Sequence, residues 1–141
     1  MPDETQAARA AKETTTELIV PSASATWANR AELPSFAPSP GITAELVSGK
    51  ALMTVWMRIE PATTLAVHHH RHEQIGVVID GAIEVTIGGE TRRVGPGGAY
   101  VVPPDVPHGG VTGSEGCLVL ESFAPPRETF LELVAAVERS E

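Results

Sequence analysis

The chain has 141 residues, 42% of them hydrophobic, and a formal net charge of −8. That length and apolar share suit one domain with its own core. The acidic balance argues against nucleic acid and anionic membranes as partners, and no apolar run approaches the length of a membrane span.

Residues 1–17 are polar and Ala/Thr-rich, with no apolar core of a signal peptide, so they read as a flexible tail on a cytoplasmic protein. Leu18-Ile19-Val20 reads as a short strand stopped by Pro21, free to pair on a sheet edge of its own or of a partner. Pro34, Pro38 and Pro40 mark an irregular connection. Strands are then predicted near 42–48, 51–59, 63–70, 74–80, 82–87, 91–94, 98–102 and 116–123. Gly88-Gly89 and Asp80-Gly81 read as tight turns between them. Many short strands with frequent turn signals indicate an all-β sandwich or barrel. After Pro125-Pro126, the residues Phe130, Leu133, Val134 and Val137 fall at helical spacing, which predicts a helix near 127–139 packed on the sheets. The lone Cys117 excludes an internal disulfide and reads as a small hydrophobe in the core.

Four of the five histidines lie in His68-His69-His70-Arg71-His72-Glu73-Gln74, and the fifth is His108. On an extended chain, positions 68, 70, 72 and 74 share one face, while His69, Arg71 and Glu73 face away. Three imidazoles and a carboxamide on one face, with a further imidazole from another strand, have the composition of a metal shell. The blander reading of the run is a solvated polar turn.

These residues carry a resemblance to the cupin family. His68, His70, Gln74 and Gly81 fall at the spacing of its first motif, G-x5-H-x-H-x3-E-x6-G. Gly97, Pro103 and His108 match the second, G-x5-P-x-G-x2-H-x3-N. Ala62 and Asp105 stand where the motifs have glycine, Thr112 where they have asparagine, and Gln74 where they have a glutamate ligand. The resemblance implies a jelly-roll β-sandwich over residues 18–126 with one C-terminal helix over 127–141. It implies a divalent metal on His68, His70 and His108 with His72 or Gln74 as a further ligand: zinc foremost, with nickel, iron or manganese as alternatives. With neutral ligands the ion keeps its full charge and is the stronger Lewis acid.

Within the family the chain looks most like the aromatic polyketide cyclases (resistomycin-type) of antibiotic biosynthesis, which implies a redox-neutral, aldol-type cyclisation of a poly-β-ketone. His70, His72 and Glu73 are then the candidate catalytic residues. Met53, Val55, Met57, Val78, Val101, Val119 and Phe123 are the candidate apolar pocket, and a homodimer is expected. The run from His72-Glu73-Gln74-Ile75 to Phe123-Ala124-Pro125-Pro126-Arg127-Glu128 carries a rival resemblance, to a cupin with a glutamine ligand that opens unsaturated uronates from pectin. The acidic chain and apolar lining argue against it, because a uronate carboxylate needs a cation, with Arg71 as one source. A quercetinase-type dioxygenase and a non-catalytic, metal-bearing binding module are the remaining alternatives.

Overall fold

Period-two alternation of apolar side chains sets the first strands. The structure, a computed structural model, describes residues 24–140. Strands β1 (Ile42–Ser48) and β2 (Met53–Ile59) pair antiparallel, with Ile42 opposite Ile59. Met53, Val55, Met57 and Ile59 are buried while Arg58 is exposed, the phase expected for a strand with one face on the core. There follow β3 (Thr64–His68), β4 (Glu73–Ile87), β5 (Glu90–Val94), β6 (Ala99–Val102) and β7 (His108–Ala124), and then the helix α1 (Glu128–Ser140).

β4 and β7 are long and pair with each other in two halves. Residues 73–78 pair with 119–124, in a layer with β2, β1 and β6. Residues 83–87 pair with 108–112, in a layer with β3 and β5. Two strands shared by two layers, with the apolar core between, make a jelly-roll sandwich. The helix closes one end: Phe130 and Val134 are buried, and Phe130 packs against Phe36 and Phe123 at centroid separations of 5.7 and 5.6 Å. Cys117 is free and buried, as expected of a core residue.

Two features differ from the expected elements. Asp80-Gly81 does not close a hairpin: β4 runs through it, with register shifts between Val78 and Asp80 and between Gly81 and Ile83. Gly81 and Gly116 both have positive φ, and a Cβ on Gly81 would meet the Gly116 carbonyl oxygen at 2.2 Å. The facing glycines let both long strands bend from one layer into the other, which in sequence looks like a turn. For the same reason the last predicted strand starts earlier, at His108. The turn at Gly88-Gly89 does close a hairpin, with Ile87 paired to Glu90.

The tail over residues 1–17 and the strand at Leu18-Ile19-Val20 lie outside the described residues. Among the described residues no helix is long and apolar enough to cross a membrane.

Ala62 and Asp105 keep the backbone of the glycines they replace, with φ of 54° and 65°. A left-handed conformation costs a residue with a Cβ roughly 1–2 kcal/mol, partly offset by the flexibility a glycine would add to the unfolded chain. Ala62→Gly is therefore expected to stabilise the fold by up to about 1 kcal/mol. Urea unfolding checks this; an unchanged or lower midpoint would mean that the turn carries no strain.

Candidate metal centre

β3 ends at His68, and the chain re-enters a strand only at Glu73, so the alternation predicted across 68–74 is broken by a loop. The loop brings His70 beside His68, and the β3–β7 pairing sets His68 opposite His108. The three imidazoles offer ligand atoms within 4.8 Å of one another. The loop that leads into β7 is tied to the His70 loop by the Asp105 N–H, which donates to the His70 carbonyl at 2.8 Å.

All three rings meet a backbone carbonyl at Nδ1: His68 at Ala66 (2.8 Å), His70 at His72 (3.1 Å) and His108 at Val106 (2.9 Å). A carbonyl only accepts, so each Nδ1 carries the proton and each Nε2 presents a lone pair. His108 Nε2 is buried with no hydrogen-bond partner. His70 Nε2 lies 3.2 Å from Gln74 Oε1, which is also an acceptor. A neutral His70 cannot satisfy oxygens at both of its nitrogens. A doubly protonated ring would, but burial, with the charge of Arg127 second, pushes its pKa down to about 4. A cation between the lone pairs resolves the conflict, so the donor set fits a metal ion.

Since His70 titrates at about 4 when folded and near 6.5 when unfolded, it contributes stability that is present above 6.5 and lost as pH falls towards 4. The melting temperature of metal-free protein should fall across that window, and less steeply in His70→Gln. Equal slopes in the two proteins would contradict the assignment.

Gln74 is buried, and its orientation is settled by a second group. Its Nε2 donates to Glu121 Oε2 at 2.9 Å, which turns Oε1 towards His70. The Tyr100 hydroxyl donates to the other Glu121 oxygen. Tyr100 reaches it by lying across Gly76, where a Cβ would come within 2.3 Å of its ring. Burial pushes Glu121 up to about 7 against the lowering effect of these two donors.

His72 is placed differently from the other three. It is buried, and its Nε2 contacts Glu128 Oε1 at 3.1 Å, in the first turn of α1, while Arg71 reaches the same oxygen at 2.5 Å. Gln74 Oε1 thus lies against His70, while His72 turns Nε2 to the helix and keeps a buried, unpartnered Nδ1, with its ring 5.2 Å from that of His70. His69 and Glu73 are exposed, and Glu73 is not among the grouped donors.

A cavity of about 350 Å³ opens beside the centre. Its polar wall holds His68, His108, Gln74, Tyr100, Glu121 and Arg127; its apolar wall includes Met57, Ile59, Phe123 and Phe130. Of the seven expected pocket residues, Met57 and Phe123 line it. Met53, Val55, Val78 and Val119 are fully buried core instead, and Val101 is 55% exposed. Val101 is out because Tyr100 and Val102 take the inward phase of β6. Arg127 is half-buried over the rings of Phe123 and Phe130, at 5.1 and 4.4 Å from their centroids. Among the described residues no carboxylate pairs with it.

From the sequence, Tyr100 and Glu121 are given no role, and Arg127 is named only within the run that resembles the uronate-opening cupin. Glu121 had a signal, since it falls in phase with the apolar Val119 and Phe123. Arg127 had a weaker one, a cation at the start of a helix, where the dipole favours an anion.

The family model described as Cupin domain matches residues 55–123. The pectin degradation protein KdgF of Dickeya dadantii is 40% identical over 63 residues, covering 45% of this chain and 57% of that protein. The H2HPP isomerase of Bacillus subtilis is 29% identical over 85 residues, covering 53% of this chain and 36% of that protein. The chain thus spans less than two thirds of the length of these curated relatives. Among solved structures, KdgF from Halomonas sp. superposes with a TM-score of 0.71 at 33% identity, covering 76% of this chain and 99% of that one. The polyketide cyclase RemF from Streptomyces resistomycificus gives 0.64 at 23% identity, covering 74% and 82%, a likeness of fold alone.

Proposed function

Because the chain belongs to the cupin family, we propose that it is a metal-dependent, redox-neutral enzyme that opens the ring of a small unsaturated uronate. The observation that carries this reading is Arg127, an unpaired guanidinium in the cavity wall beside the donor set. It supplies a cation for a uronate carboxylate at the cavity wall, whereas Arg71 is exposed and paired with Glu128. The likeness to KdgF supports the same substrate class. A cavity of about 350 Å³ lies at the low end of the roughly 300–1,000 Å³ usual for ligand pockets, which suits a monosaccharide acid.

Such a substrate carries a carboxylate on an enol-ether carbon, and a hemiacetal hydroxyl on the other carbon bonded to the same ring oxygen. Opening it removes the hydroxyl proton, breaks the ring C–O bond as the aldehyde forms, and returns a proton to the alkene carbon to leave a ketone. No electrons are gained or lost. Arg127 holds the carboxylate through charge-assisted hydrogen bonds. Glu121 lines the cavity, but its two oxygens accept from Gln74 and Tyr100, so it holds these groups in place at the substrate rather than exchanging protons with it. Phe123 and Phe130 wall off water. A divalent ion on His68, His70, His108 and Gln74, zinc by preference, supplies Lewis acidity for the oxygen on which charge develops.

The second reading is the polyketide cyclisation, favoured by the apolar wall of Met57, Ile59, Phe123 and Phe130. It needs the same proton removal and carbonyl polarisation but a longer substrate. Metal-loaded protein offered an unsaturated uronate, a nascent poly-β-ketone and, under air, a flavonol separates the readings. Turnover of the uronate alone supports ours. Ring closure of the ketide would replace it with the cyclase, oxygen uptake with the dioxygenase, and binding without turnover with a carrier.

The reading includes a homodimer. Ile75, Val77 and Ile79 of β4 and Val101 of β6 stand 45, 37, 46 and 55% exposed on one outer sheet face, an apolar patch of the kind that proteins cover. Ile75→Glu with Val101→Glu should halve the mass measured by light scattering; an unchanged mass would remove this face as the interface.

A further inference from the structure

Gln74 stands where the family motif has a glutamate, and the structure shows where the missing charge went. Glu121 is buried, lies directly behind Gln74, and accepts from its Nε2 at 2.9 Å. A carboxamide can turn either end towards the centre, and only its oxygen is a metal donor. We infer that Glu121 is a positioning residue for the metal centre: by accepting from the Gln74 amide nitrogen at Oε2, it turns the amide to present Oε1 beside His70. The Tyr100 hydroxyl, donating to the opposite oxygen, fixes the carboxylate plane in turn. The anion that would sit on the metal is moved one contact outward, and a neutral oxygen takes its place.

The arrangement has a consequence for residue 74. A glutamate there would set two carboxyl groups against each other at hydrogen-bond distance, where they cannot both ionise and one proton must be held between them instead of a metal-facing charge. Glutamine at 74 and an acid at 121 are therefore coupled. Exchanging both residues together would reverse the hydrogen bond, with a carboxamide at 121 donating to a carboxylate at 74, and keep it intact.

The inference rests on the metal centre and on no particular substrate. The test is metal affinity, measured with zinc by chelator competition and with cobalt(II) by its visible spectrum, together with the melting temperature of the metal-free protein. Glu121→Leu frees the Gln74 amide and should weaken both metals about 10- to 100-fold, the range seen when an outer partner of a ligand is lost, with an altered cobalt spectrum. A merely structural role would lower the melting temperature and leave the affinity of the folded protein and its spectrum alone. Gln74→Glu by itself should lower the melting temperature and gain no affinity, although a carboxylate is the better ligand. Adding Glu121→Gln should restore the melting temperature and bring zinc binding to at least the wild-type level. Wild-type affinity in Glu121→Leu, or absence of rescue in the exchanged pair, would overturn the inference. If wild type itself binds no metal, or His108→Ala binds as wild type does, it is the metal centre that fails.

Discussion

His108→Ala is expected to lose zinc at concentrations that saturate the wild type. His108 is the only donor that β7 contributes; His68, His70 and Gln74 all come from the β3–β4 region. Its Nε2 is buried and unpartnered beside the other two imidazoles, which fits a ligand. Removing it should weaken binding by more than about 100-fold, since loss of an outer partner alone reaches that figure. At a metal concentration one hundred times the wild-type Kd, the ion stabilises the wild type by about 2.7 kcal/mol and a hundredfold weaker variant by only about 0.4 kcal/mol. The metal-free variant itself loses the hydrogen bond to Val106, a cost of about 1 kcal/mol. Melting curves with and without zinc therefore separate the two effects. A variant that keeps its metal-induced shift would show that the donors lie elsewhere.

Arg127→Leu is expected to raise KM for an unsaturated uronate about 10- to 100-fold. The hydrogen bonds of a charged pair contribute about 1.5–3 kcal/mol, and each 1.36 kcal/mol is a factor of ten. Arg127→Lys should lie between, because a point charge replaces a planar fork. The fold should tolerate either change. The variant loses stacking on Phe130, worth about 0.5–1 kcal/mol, but also removes a cation from a helix N-terminus. Uronamide, which lacks the charge, should show the same weak KM with wild type and variant. An unchanged KM for the uronate in Arg127→Leu would remove the carboxylate from this end of the cavity.

The strands at β1, β2 and β5, the helix stripe and the imidazoles at 68, 70 and 108 were legible because each follows from a spacing. Two kinds of feature were not. Gly81 reads as a turn and Gly116 as the start of a strand, since a glycine that lets a strand bend and one that lets a chain reverse are the same residue in sequence. The polar half of the cavity was hidden because it is assembled across strands: Tyr100 meets Glu121 over Gly76, and Arg127 arrives from beyond the last strand. Alternation placed Val101 inside because no single strand tells which of its two faces is the inner one. His72 was legible as an imidazole near the centre, but only Glu128, 56 residues further on, shows which way it turns.

The most direct test is turnover of an unsaturated uronate under nitrogen in deuterated water, followed by proton NMR with zinc-loaded and chelator-treated protein. Ring opening by the loaded protein alone, with deuterium entering at the former alkene carbon and no need for oxygen, is the predicted result. No turnover by the loaded protein, a requirement for oxygen, or equal turnover after the metal is removed would contradict it.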